Sequence, residues 1–424
     1  MSLEFRADRN LIRAQGRSTR YLLARIEAPA SPQRSARLPV SIAFVLDRSG
    51  SMDGEKIHLA REAVLTAIRG LRDHDRFSVV VYDNEVDLLV PSTAATPAAR
   101  REAEAIVRRV EARGMTDLAG GWLAGCEQLA EGLHADTVGR CLLLTDGLAN
   151  VGITDHDELV GHARELAARG IATTTFGVGR DFDERLLADM AHAGRGNYYY
   201  IESATQIPDF IASEVGEALE VVARDVRLDV EAPADVRVNP LNDLETTYDG
   251  HRVTIDVGTL VSQQVLDVVL KVDFPRGLEG AEQLLAGALH DLDGALAGAA
   301  ANSVFTYASH ARNDAQGRDL VVDREVAALY AARARAQALD LNAEGRYVEA
   351  QAVLQATARR IAAYAAGDAV LRGIVRELES VDQSYGGLMS QEVRKTQHMQ
   401  WRSAMQGRDL SGKAKRGYDP NERA

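Results

Sequence analysis

Cysteine is nearly missing: Cys126 and Cys141 are the only two in 424 residues, and both sit inside apolar stretches. That is too few for a disulfide framework or a thiolate metal site, and a reducing cytoplasm is the expected setting. Basic charge is also short. The 49 Lys and Arg face 62 Asp and Glu, a net charge of −13, and such a field repels phosphate backbones and anionic headgroups. No nucleic-acid partner and no membrane partner is expected. No run approaches the ~18–20 consecutive apolar residues of a membrane span. Glu4, Arg6, Asp8, Arg9, Arg13 and Arg17 occupy the stretch where a secretory signal needs its apolar centre. The usual catalytic signatures are missing too: there is no GxSxG elbow, no GxxxxGK phosphate loop and no HExxH. Gly177-Val178-Gly179 opens like a dinucleotide-binding turn, but Phe182 stands where the third glycine belongs. What is present is the balance of a folded, water-facing chain, 46% hydrophobic and 26% charged. At roughly 100–200 residues per domain, its length implies two or three domains.

From about 39 to 225, short apolar runs alternate with longer segments of helical period, which predicts a parallel sheet with crossover helices. Ile42-Ala43-Phe44-Val45-Leu46 reads as a buried strand that ends in the polar loop Asp47-Arg48-Ser49-Gly50-Ser51. Ile57, Ala60, Val64, Ile68 and Leu71 then recur at helical spacing between Gly54 and Asp73. Phe77 to Tyr82 is the next strand. Val86 to Val90 follows too closely for a crossover, so an antiparallel edge strand is expected. Further helices are expected at about 97–113, 118–131, 156–169 and 183–193, with strands at Cys141–Leu144, Ile171–Val178 and Tyr198–Ile201. The sum is a doubly wound, mostly parallel sheet of about six strands. Both flanks differ. Residues 226–315 alternate apolar and polar, as in Val226, Leu228 and Val230, and read as antiparallel strands. The strand-like residues 1–38 are too few for a core of their own, so they are expected to complete a β-sandwich with 226–315, the α/β domain being inserted between. Residues 316–404 are Ala- and Leu-rich with helical spacing. Glu344 to Ala350 has a look of a tetratricopeptide unit, but one unit makes no solenoid, and a plain helical hairpin is expected. The tail 405–424 lacks an apolar period and is expected to be disordered.

The chemistry concentrates at strand ends. Asp47, Ser49 and Ser51 fall at i, i+2 and i+4 just past a buried strand, at the carboxyl edge where doubly wound sheets place their sites. A carboxylate with two hydroxyls is a hard-oxygen set suited to a hard divalent cation. Two more oxygen-bearing loops occupy corresponding positions, Gly114-Met115-Thr116-Asp117 and Thr145-Asp146-Gly147. Neither His nor Cys joins them, which disfavours zinc, copper and iron.

Asp47-Arg48-Ser49-Gly50-Ser51 with Thr116 and Asp146 resembles the metal-ion-dependent adhesion site of von Willebrand factor A domains. The likeness continues through Met52-Asp53-Gly54, Lys56, Asn150-Val151-Gly152 and Phe176-Gly177-Val178-Gly179, and covers about residues 39–225. With the flanks, the chain is similar to bacterial A-domain proteins and, more distantly, to inter-alpha-trypsin-inhibitor heavy chains. The resemblance implies a protein-interaction module, not an enzyme, with Asp47, Ser49, Ser51, Thr116 and Asp146 around Mg2+ or Mn2+ and an Asp or Glu of a partner completing the shell. It also implies, as an alternative, an accessory role beside an AAA-type ATPase in protein maturation or metal insertion. A Mg2+-dependent hydrolase is disfavoured, because a strand-end aspartate nucleophile wants a second acid two residues on, where Ser49 stands. Caps and turns alone also favour Asp and Ser, but they give no reason for Thr116 and Asp146 to match as well. Asp53, Asp117 and Asp155 are expected to be solvated or supporting acids. Thr145 is expected to bond backbone or a metal-bound water, Arg48 to be a surface charge, and His58 and His192 to be surface or packing residues.

Overall fold

The computed structural model describes residues 2–30, 37–365 and 367–417. They form two compact units, one of residues 32–221 and one of both flanks, 1–31 with 222–424. The first three strands, β1 (Ser2–Ala7), β2 (Leu11–Arg13) and β3 (Ser18–Glu27), belong to the flanking unit.

In chain order the α/β unit runs β4 (Val40–Asp47), α1 (Glu55–Gly70), β5 (Arg76–Tyr82), β6 (Val86–Ala94), α2 (Pro97–Val107), α3 (Leu118–Gly132), β7 (Val138–Thr145), α4 (His156–Ala168), β8 (Ile171–Val178), α5 (Glu184–Ala193), β9 (Arg195–Ile201) and α6 (Ile207–Leu219). The sheet order is β6-β5-β4-β7-β8-β9. All pairs are parallel except β5 with the edge strand β6. Every residue of β4 and of β7 is buried, which is why both read as continuous apolar runs: helices cover both faces of a parallel sheet. The order of strands reverses between β4 and β7. The loops leaving their carboxyl ends therefore turn to opposite faces of the sheet, at the position where open α/β sheets place their ligand sites. One helix is shorter than its sequence pattern. Expected to reach residue 113, α2 stops at Val107, because the segment beyond it is drawn into hydrogen bonds with the loop after β4, described below.

In the flanking unit, β10 (Val221–Glu231), β11 (Arg237–Pro240), β12 (Thr246–Asp249), β13 (Arg252–Val261), β14 (Val265–Phe274), β15 (Glu282–His290) and β16 (Ala300–Ala308) combine with the first three strands into two sheets, β1-β3-β14-β11 and β12-β13-β10-β15-β16-β2. β3 pairs with β14 over its whole length, Ser18 opposite Phe274 through Glu27 opposite Val265. The period of two then sorts side chains. Leu22, Ala24 and Ile26 with Val268, Leu270 and Val272 face the core shared with the second sheet. Leu23 and Val269 face the other way, where the helix Leu320–Ala343 covers them. The helices are α7 (His310–Ala315), α8 (Leu320–Ala343), α9 (Tyr347–Ala365), α10 (Ala369–Asp382) and α11 (Gln391–Met405). Val322, Val326 and Leu329 of α8 and Met405 of α11 pack on Leu23 and Val269. Ala327, Ala331, Ala334 and Ala338 of α8 meet Leu354, Ala358 and Ile361 of α9 in a separate core.

The tail expected to lack structure is ordered as far as the described residues go. Asp409 caps a turn by accepting from the backbone of Ser411 and Lys413. Val265 then donates to the carbonyl of Lys415, and Gly417 to that of Gln263. These backbone bonds hold the segment without any apolar period. Residues 418–424 lie outside the described residues.

Candidate metal centre

The site assembles in the loops that follow the paired carboxyl ends of β4 and β7. The last residue of β4, Asp47, is fully buried. Its Oδ1 accepts from the Ser49 amide at 2.7 Å, closing a side-chain turn that reverses the chain. Its Oδ2 accepts from the Thr145 hydroxyl at 2.6 Å. Thr145 also accepts from the Gly147 amide at 3.2 Å; its chief partner is thus the Asp47 carboxylate, beyond the backbone or water contacts expected from sequence. After Ser49, a short 3-10 turn, Gly50–Met52, is anchored by the buried Met52 and leaves Ser51 exposed. The Ser49 and Ser51 hydroxyl oxygens are 3.1 Å apart, and the Ser51 hydroxyl donates to Asp146 Oδ1 at 2.6 Å. Thr116 is nearly buried. A Cβ on Gly147 would lie 3.4 Å from the Thr116 Oγ1 and 3.8 Å from the Ser51 Oγ, so this glycine keeps open the space between two hydroxyls. All five sequence-predicted residues therefore converge.

The loops are fixed from below. Arg48, expected at the surface, is buried instead. Its guanidinium donates to Asp83 Oδ2 at 2.8 Å and to Asp87 Oδ2. The Arg113 guanidinium shares Asp83, while the Arg113 amide donates to the Arg48 carbonyl at 2.7 Å. Burial tends to raise the Asp83 carboxyl, but the bonds from Arg113, the Glu85 amide and Arg48 outweigh it and hold the group below its ordinary range. Gly50 donates to the carbonyl of Gly114 and Asp117 to that of Asp83, which completes the splice between the Ser49 loop and the Thr116 loop. Gly114 has a φ of +73°, and a Cβ there would run into Asn84. At that φ a side chain is strained, and Asn84 would also have to move aside. Asn150 accepts from the Thr116 amide at 3.0 Å and returns its own amide to the Thr116 carbonyl, joining the second and third loops.

Of the neighbouring acids, Asp117 caps α3 through the Gly120 amide and Asp155 caps α4 through the Glu158 amide, while Asp53 is exposed. His58 is exposed on α1. Lys56 has a role that the sequence did not disclose. Its ammonium donates to Asp146 Oδ2 and to the Ser51 carbonyl; no local spacing signals a contact across 90 residues of chain.

These residues fit a hard divalent cation. Among the described residues no group of three or more His, Cys, Asp or Glu is arranged to hold a metal; here hydroxyls supply three of the five donors. Burial, the largest influence, pushes the Asp47 carboxyl up to about 6, against the hydrogen bonds from Ser49 and Thr145. A buried carboxylate without a cationic partner is a costly arrangement, and a bound cation relieves it. On the second and third loops, Met115 and Leu148 stand 53% and 55% exposed.

A doubly wound sheet with oxygen-bearing loops gathered at its switch point is an α/β architecture, and comparison with known proteins gives the family of this unit. Residues 41–213 match the model of the von Willebrand factor type A domain, and this part of the chain is a domain of that type. In fold it is similar over nearly its whole length to two solved structures. One is the von Willebrand factor type A protein from Catenulispora acidiphila (TM-score 0.68, 18% identity, covering 92% of this chain and 97% of that one). The other is the ArnB paralog VWA2 from Sulfolobus acidocaldarius (TM-score 0.58, 16% identity, covering 95% and 97%). In sequence it is 30% identical over 212 residues to the protein YfbK of Escherichia coli, covering 49% of this chain and 36% of that protein. It is 31% identical over 188 residues to inter-alpha-trypsin inhibitor heavy chain H1 of Mesocricetus auratus, covering 42% and 20%. The match thus spans well under half the length of either relative.

Proposed function

We propose that the A domain of this chain is a metal-dependent protein-interaction module, in which Asp47, Ser49, Ser51, Thr116 and Asp146 hold one divalent cation and the cation takes the carboxylate of an Asp or Glu on another protein. The observation that carries this reading is the convergence of hydroxyls and carboxylates from three loops, with Ser51 exposed and Gly147 leaving room beside Ser51 and Thr116. Mg2+ is the first candidate and Mn2+ the next, since both accept all-oxygen shells and keep exchangeable waters. Asp47 and Asp146 are the two charged members of the set and the three hydroxyls add no charge, so the shell is not crowded with anionic donors and an outside carboxylate can enter it. The exposed Met115 and Leu148 give that anion's neighbours an apolar surface, which favours a protein partner over a free acid. An AAA-type ATPase acting in maturation or metal insertion is one class of partner, implied by the resemblance to bacterial A-domain proteins. In this reading the chain itself turns nothing over: two residues beyond Asp47 stands Ser49, which is no acid at neutral pH. Two buried free thiols suit a cytoplasmic setting.

Titration calorimetry with Mg2+ and Mn2+ tests the site. One ion per chain is expected for the wild type and none for Asp47→Ala. Partner binding that persists unchanged in EDTA, or in Asp47→Ala with its fold intact, overturns the adhesion reading.

A further inference from the structure

Lys56 places a third fixed charge at the site. It sits in the first turn of α1 with its side chain 32% exposed, while the Asp146 side chain it contacts is fully buried. The ammonium bonds Asp146 Oδ2 and, at 3.2 Å, the Ser51 carbonyl, while Asp146 Oδ1 is left to the Ser51 hydroxyl. The loop after β8 closes the far side: a Cβ on Gly179 would stand 3.9 Å from the Lys56 Nζ. Arg48, the other nearby cation, points away to Asp83 and Asp87. Among the described residues, Lys56 is thus the cationic side chain bonded to one of the five donors.

We infer that Lys56 is a specificity-determining residue that makes metal binding and carboxylate binding depend on each other, an inference that rests on the adhesion reading above. Asp47, Asp146 and Lys56 together carry one net negative charge. A divalent cation added to them leaves one positive charge inside a largely buried cluster, where charge is poorly screened. That excess weakens the hold on the metal alone and is cancelled by one carboxylate from outside. Without Lys56 the two aspartates neutralise the ion by themselves, so the metal binds tightly and the incoming anion gains little.

The test is Mn2+ titration of the full chain, free ion being read by electron paramagnetic resonance, with and without acetate as the carboxylate probe. Wild type, Lys56→Met and Lys56→Arg are compared, and circular dichroism checks each fold. The inference predicts that Lys56→Met binds Mn2+ tenfold or more tightly without acetate and loses most of the acetate-dependent gain in affinity seen in the wild type. Lys56→Arg should behave as wild type. Equal or weaker Mn2+ binding by folded Lys56→Met, or an acetate gain of wild-type size, overturns the inference while leaving the adhesion site standing. A wild type that binds Mn2+ only when acetate is present, beside a Lys56→Met variant that binds it without acetate, supports it in its strongest form. No binding in any of the three overturns both.

Discussion

Asp47→Asn separates the cost of the site from its use. Asp47 is fully buried, and burial lifts its carboxyl from the ordinary 3.8 to about 6. At roughly 1.4 kcal/mol per unit, keeping this group ionised at neutral pH costs the metal-free domain on the order of 3 kcal/mol. The sign follows from the folded value lying above the ordinary one: the associated stability is fully present below pH 3.8 and is lost as pH rises through about 6. Asparagine is nearly isosteric and neutral. It keeps an acceptor for the Ser49 amide but makes the Thr145 hydroxyl, now bonded to Oδ2 at 2.6 Å, turn to accept instead, at a cost of about 1 kcal/mol. The net expectation in EDTA at pH 7.5 is a variant about 1–2 kcal/mol more stable than wild type, with the difference shrinking toward pH 4. In Mg2+ at 100 times its dissociation constant the order reverses, because binding stabilises only the wild type, by about 2.7 kcal/mol. Urea unfolding followed by Trp122 fluorescence reads the A domain, with Trp401 of the other unit replaced by Phe in both proteins. If the variant is the less stable of the two in EDTA at pH 7.5, or gains as much from Mg2+ as wild type does, the account of this carboxylate is wrong.

Asp83→Ala leaves the Arg48 guanidinium buried with only Asp87 to meet it, and a loss of about 3 kcal/mol is expected in the same unfolding assay. Because Arg113 also loses one of its carboxylate partners and is left with Glu85 and Asp87, Mn2+ affinity should fall with it, as calorimetry can check. Gly147→Ala inserts a methyl 3.4 Å from the Thr116 Oγ1. The expected result is at least a tenfold weaker Mn2+ affinity with stability changed by less than about 1 kcal/mol; unchanged affinity argues against an ion in that space. Leu148→Glu and Met115→Glu put a like charge beside the incoming carboxylate, and surface plasmon resonance with an identified partner should show weaker binding while Mn2+ affinity is retained.

How much of this was legible in the sequence depended on whether a contact left a local trace. β4 and β7 were readable because strands covered on both faces must be apolar throughout. That Asp47, Ser49, Ser51 and Asp146 come together was readable because Asp47 ends β4, the serines follow it at a spacing of two, and Asp146 directly follows β7. Lys56 and Arg48 were not, since their partners Asp146 and Asp83 lie 90 and 35 residues away and a charged side chain looks the same to a reader whether solvated or paired. The early end of α2 escaped for a similar reason: Arg108 to Arg113 carries no helix breaker, and the chain leaves the helix because Arg113 and Gly114 bond to the Arg48 and Gly50 backbone. The ordered segment 406–417 is held by backbone bonds to Val265 and Gln263, which no side-chain period records.

The most direct measurement is a crystal soaked in Mn2+ and acetate, with the ion located by its anomalous scattering. One Mn2+ ringed by oxygens of Asp47, Ser49, Ser51, Thr116 and Asp146, with an acetate oxygen in its shell, is the predicted result. A peak anywhere else, or an ion at this place whose coordination the protein closes by itself, contradicts the claim that the domain offers its metal to a carboxylate from outside.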